Sequence, residues 1–137
     1  MQLFAILSAA AVASATAVFH VSDFSAGCIP HSTQCLYTFG VLQPGTMEKT
    51  PVTCKALVPA NNDGTLPDVK EGTCEESSRT WSIVRSAEGL TLTVSQQVTP
   101  NSFQSGAHLL PNDEFVMNNQ PNAVVQTYTG PVAFDLE

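Results

Sequence analysis

The chain has 137 residues, and its 5 Lys+Arg against 12 Asp+Glu give a formal charge of −7 at neutral pH. That length holds one domain of ordinary size, and a hydrophobic share of 43% supplies a core and excludes a wholly disordered chain. The basic residues Lys49, Lys55, Lys70, Arg79 and Arg85 form no run, which argues against nucleic acid and anionic membranes as partners. Neither a Gly-X-Y period nor a heptad appears.

Residues 1–17, MQLFAILSAAAVASATA, read as a secretory signal peptide. An uncharged apolar run from Leu3 to Ala13 gives way to small residues, and Ala15-Thr16-Ala17 fits signal peptidase, with cleavage before Val18. The alternative, a buried N-terminal helix, would end in a cap and not in small residues. The run is short of the ~20 residues a membrane span needs. Residues 18–137 are then expected to form a single secreted domain with no membrane insertion.

Cys28, Cys35, Cys54 and Cys74 all follow the leader. An even count in a small secreted chain implies two disulfides, and three pairings exist. The two local loops, Cys28–Cys35 and Cys54–Cys74, are favoured, and chain entropy assigns them roughly 2 and roughly 3 kcal/mol. A zinc site built from these cysteines with His20, His31 or His108 would need C-x-x-C or H-x-x-x-H spacing, which is absent. The sequence calls for no metal and no cofactor.

Prolines from Pro30 to Pro131 break every long helix except in the interval from Pro67 to Pro100. That interval reads as a hairpin. Trp81 and Ile83 share one face of WSIVR, and Leu90, Leu92 and Val94 alternate with Thr91, Thr93 and Ser95, with Ala87-Glu88-Gly89 as the turn. Weaker strands are expected in VFHVSDF, CLYTFGVL, VTCKALV, AHLL, EFVM, AVVQTYT and VAF. Asn61-Asn62-Asp63-Gly64 and Asn118-Asn119-Gln120-Pro121 read as turns or loops. The expected fold is all-β: a single antiparallel β-barrel or closed sandwich of short strands with two disulfides.

No nucleophile elbow, zincin, Walker or dinucleotide motif is present. The doublets Glu75-Glu76 and Asp113-Glu114 place neighbouring carboxylates on opposite faces of a strand, which is poor geometry for acid–base catalysis. They read as solvated turn charges, and His20, His31 and His108 as scattered polar residues. Tyr37, Phe39 and Trp81 fall at strand period among apolar positions and are assigned to the core. A small secreted hydrolase or carbohydrate-binding module stays open as the alternative class, since carboxylates from separate strands can converge.

The segments VSDFSAGCIPHSTQCLYTFGV, QPGTMEKTPVTCKALVPANNDGTLPDVKEGTC, SSRTWSIVRSAEGLTLTVSQQVTP and HLLPNDEF resemble the fungal hypersensitive-response-inducing protein elicitors, within the β-barrel family of the Alternaria major allergen. The resemblance spans residues 18–137. It implies a secreted protein of the plant apoplast that plant cells perceive, with defence responses and hypersensitive cell death as the outcome. It implies no enzyme activity and no cofactor. It points to a plant apoplastic or cell-surface protein as partner, thaumatin-like pathogenesis-related proteins among them. Cys54 and Cys74 match the family's central disulfide, and Cys28 and Cys35 look like the elicitor branch's own pair. The allergen branch's late cysteine pair is missing, since no cysteine follows Cys74. With all four cysteines paired, a monomer or weak non-covalent dimer is expected. Recognition is expected on loops, because strands commit one face to the core. The candidates are 29–34, 61–70 and 118–122. The first is preferred: Pro30, His31 and Gln34 sit inside the short disulfide, which would pre-organise them.

Overall fold

A computed structural model describes residues 17–120 and 123–137. The expected leader, except for its last residue, lies outside that range. Among the described residues ten strands form: β1 (Phe19–Cys28), β2 (Gln34–Leu42), β3 (Val52–Pro59), β4 (Val69–Thr73), β5 (Thr80–Ser86), β6 (Gly89–Thr99), β7 (Ser102–Pro111), β8 (Phe115–Gln120), β9 (Ala123–Tyr128) and β10 (Phe134–Leu136). A 3-10 turn, Asn112–Glu114, precedes β8. One sheet runs β3-β2-β1-β9-β8, with β10 also on β1, and the other runs β4-β5-β6-β7. All strand pairs are antiparallel.

The barrel alternative is corrected to a two-sheet sandwich. The sheets end at β3 and β8 and at β4 and β7. The one ladder contact that joins them at an edge is the isolated bridge Cys54↔Cys74. Backbone bonds from Glu75 N to Thr53 O at 2.7 Å and from Glu137 N to Ala107 O at 3.0 Å add to it, and between the faces the sheets are held by packed side chains.

Strand phase explains which faces those are. Phe19 and Val21 point inward from β1, and then the register slips between Ser22 and Ser25 with Asp23 at φ 52°. This bulge adds one residue, so Phe24, Ala26 and Cys28 take the inward phase that strict alternation would have given to their neighbours. Tyr37, Phe39 and Val41 lie beside them on the same face from β2, and Trp81, Ile83, Leu90, Leu92 and Val94 cover the core from the second sheet. The expected assignment of Tyr37, Phe39 and Trp81 to the core is met. Trp81 meets Phe39 edge-on at 5.1 Å and Tyr37 at 5.8 Å, and Phe24 meets Tyr128 at 4.9 Å, the offset geometry that aromatic quadrupoles favour. The Trp81 indole also donates to Thr73 O at 3.0 Å. Gly72 lets it lie flat on β4, since a Cβ there would fall 2.2 Å from Cε2 of the indole.

The hairpin expected between Pro67 and Pro100 is present as β5 and β6, closing at the pair Ser86↔Gly89. Two loop expectations are corrected. The segment 61–70 ends in β4, whose Val69 pairs with Ile83. Asn118–Gln120 extends β8 instead of forming a loop, because Asn118 and Asn119 pair with Val125 and Val124. Both disulfides form as favoured, Cys28–Cys35 and Cys54–Cys74.

Candidate functional site

The preferred loop is a short, closed structure. Cys28 and Cys35 are direct cross-strand partners and carry the bridge. Beyond them Ile29 N donates to Gln34 O at 2.9 Å, Ser32 N to Ile29 O at 3.1 Å, and Gln34 N to Ser32 Oγ at 3.2 Å. His31 closes the turn at φ 62°. Pro30 and His31 are exposed, and Gln34 is half-buried at the start of β2.

A second loop is bound to the first, since Ala60 N donates to Thr33 O at 2.8 Å. Its own tip is a hydrogen-bonded knot. Asn61 N donates to Thr65 O at 3.1 Å, and Gly64 N to Asn61 O at 2.9 Å. The Asp63 carboxylate accepts from the Thr65 hydroxyl at 2.6 Å and from Thr65 N at 3.1 Å, an Asx turn. Those Thr65 bonds hold the Asp63 carboxyl below the usual carboxylate range, the hydroxyl contributing most.

The base of this loop is fixed to the sandwich. Leu66 is fully buried, and its N–H donates to Gln126 Oε1 at 2.9 Å. Arg85 Nη2 donates to both Leu66 O and Gln126 Oε1 at 2.9 Å, while Arg85 Nε is buried without a partner. Tyr37 donates to Pro67 O at 2.7 Å, and burial pushes its hydroxyl well above the usual phenol range.

The two loops face each other because the first sheet splits. β1 and β9 pair at one position, Gly27↔Thr127. Past that point Gln126 N turns to Gly64 O, at 3.0 Å. Only glycine fits at 64: its φ is 83°, and a Cβ would lie 1.9 Å from Val124 O. The split leaves a groove of about 600 Å³. His31, Ser32 and Thr33 line it from one side and Asn61, Asn62 and Asp63 from the other, with Cys28, Ala60, Val124 and Val125 as its apolar lining.

The structure therefore unites two of the three candidate loops. Of the preferred trio, His31 lines the groove, whereas Pro30 and Gln34 do not. The turn of the third candidate, residues 121–122, lies outside the described residues, and β9 enters the groove at Val124. Thr33, Asp63 and Gly64 fall inside the expected loops 29–34 and 61–70, but the sequence singles out none of them there. The run Asn61-Asn62-Asp63-Gly64 gave a turn signal but no hint of what the turn would face.

The remaining polar groups sit elsewhere. His20 Nδ1 lies 2.8 Å from Asp135 Oδ1, and the His108 ring stacks on Phe134 at 4.4 Å. Glu75 lies 3.6 Å from Lys55, and Glu114 accepts from the Tyr128 hydroxyl at 3.3 Å. Among the described residues no three of His, Cys, Asp and Glu gather at metal-ligating distance. No family model matches the chain, and no curated protein or solved structure is significantly similar to it.

Proposed function

We propose that the protein is a secreted, non-catalytic elicitor that plant cells perceive, and that the groove end is the surface they recognise. The observation that carries this reading is the pinning of two loops around one groove. Each is fixed by its own turn bonds, they are joined at Thr33–Ala60, and one is closed by a disulfide. A surface ordered before binding loses little conformational entropy on contact, which is what a recognition site needs. The two disulfides favour an oxidising, extracellular setting. The sequence resemblance supplies the biological class: a fungal effector in the plant apoplast that induces defence and hypersensitive cell death. Its partner is then a plant apoplastic or cell-surface protein, with thaumatin-like pathogenesis-related proteins the first to assay.

The test is infiltration of purified mature protein into leaves beside a variant carrying Pro30→Ala, His31→Gly and Gln34→Ala. Glycine at 31 preserves the positive φ that alanine would strain. Wild-type protein should cause necrosis, and the folded variant should cause clearly less. Equal necrosis from both would remove this loop from the recognition surface.

A further inference from the structure

We propose that the groove binds an extended segment of a basic partner protein, seating an apolar side chain on Val124 and a lysine or arginine against the Asp63 carboxylate. This deepens the recognition reading of the same groove and rests on it. The first support is the mixed lining. Val124 is 46% exposed although apolar, so it offers surface that gains by being covered. The second is the state of Asp63. Both Thr65 bonds go to Oδ1, which leaves acceptor capacity on the second, exposed oxygen. The same bonds fix the loop tip, so little ordering is needed when a cation arrives.

The third support is the shortage of uncommitted positive charge: Arg85 acts on Asp63 from the base of the loop, but its guanidinium is bound to Leu66 O and Gln126 Oε1. Arg79 is bound by Glu48, Lys55 faces Glu75, and Arg85 donates into the base of the loop. Of five basic residues, that leaves Lys49, Lys70 and Arg85 without an acidic side-chain partner among the described residues, and Arg85 is committed to neutral acceptors beneath the loop. With a formal charge of −7, the molecule's field attracts cationic partners and repels anionic ones. An acidic peptide would place a carboxylate beside Asp63 in a groove with no lysine or arginine in its lining. A neutral sugar would have the amide of Asn62, since the Asn61 Nδ2 is committed to Thr65 Oγ1 and Leu66 O, and would gain nothing from the carboxylate's charge.

The test is an NMR titration of ¹⁵N-labelled mature protein with the peptide acetyl-Gly-Val-Lys-Gly-amide. Its controls are the same peptide with norleucine in place of lysine, and cellobiose. The lysine peptide should give saturable shifts at the amides of Thr33, Gly64 and Val125. Its affinity should exceed that of the norleucine peptide by about fivefold, the upper end for a solvent-accessible ion pair. Asp63→Asn keeps Oδ1 for Thr65 and should erase the difference between the two peptides. Asn62→Lys, at an exposed position, tests the charge without touching that turn, and should weaken the lysine peptide selectively. Equal binding of both peptides, no saturable shift with lysine, or shifts with cellobiose alone would each overturn the basic-partner chemistry. If leaf necrosis still depended on the groove, the recognition reading would survive that result. Necrosis independent of the groove would remove both.

Discussion

At the Val41 end of β2 the two sheets are tied to each other through buried charge and a covalent bond. At the Cys35 end, two surface loops are tied to one another and left facing solvent. Arg79, only 5% exposed, enters from the second sheet. Its guanidinium donates to Glu48 Oε1 at 2.9 Å and Oε2 at 3.1 Å, to Val41 O at 3.4 Å and to Gln96 Oε1 at 2.9 Å, and it lies 5.3 Å over the Phe19 ring. Cys54–Cys74 bridges the sheets on the same side of β3. The groove end instead uses a disulfide within one hairpin and hydrogen bonds between neighbouring loops. Both ends carry polar links between the sheets, Arg79–Glu48 at one and Arg85–Gln126 at the other, but only the groove end uses further turn bonds and a disulfide to shape loops that face solvent.

The hardest blow to the locked end is Glu48→Gln, which leaves a buried guanidinium without its counter-charge. It should cost about 3 kcal/mol in urea unfolding, and adding Arg79→Met should recover part of that loss. A cost under about 0.5 kcal/mol would show that the clip contributes nothing beyond a surface pair. Next come the disulfides. Replacing Cys54 and Cys74 by serine should cost about 3 kcal/mol and replacing Cys28 and Cys35 about 2 kcal/mol, by loop-closure entropy. Thermal melting of the two variants fixes the order, and the reverse order would place the greater constraint at the groove end. Gly64→Ala should cost about 2 kcal/mol through its positive φ and the Val124 contact. Hydrogen exchange should report faster opening of the Gln126 amide, whose acceptor is Gly64 O.

The smallest effect is on pH. The Arg79 hydrogen bonds lower the Glu48 carboxyl below its ordinary value of 4.5. A depressed folded-state value means that this stabilisation is full above the unfolded-state pKa and is lost as pH falls through the folded one. Melting temperature should therefore decline below about pH 4.5, and Glu48→Gln should flatten that part of the decline. A decline unchanged in that variant would assign the acid sensitivity to other carboxylates.

Much of the sandwich was legible because alternation is a local property. Leu90, Leu92 and Val94 against Thr91, Thr93 and Ser95 fix both the strand and its buried face. The cysteine spacing favoured the correct pairs. The bulge at Asp23 was not legible, because nothing in Ser22-Asp23-Phe24 signals that the phase changes there. Nor was the choice of sandwich over barrel, since β3 meets the second sheet at Cys54↔Cys74 while β8 pairs with β9 alone among the described residues, and short strands look alike in either fold. The Arg79–Glu48 clip joins residues 31 positions apart, and the sequence offers no sign of their meeting. The groove was legible in part: its loops were named separately, but their junction at Thr33–Ala60 and the split between β1 and β9 are tertiary facts.

The central claim is that the two ends have separate tasks, and a double dissociation tests it most directly. Leaf necrosis and melting temperature would be measured for a groove variant, His31→Gly with Asp63→Asn, and for the clip variant Glu48→Gln at a temperature where it is folded. The account predicts that the groove variant keeps its melting temperature within a few degrees and loses necrosis, while the clip variant melts earlier and still causes it. Full necrosis from the folded groove variant would contradict the claim.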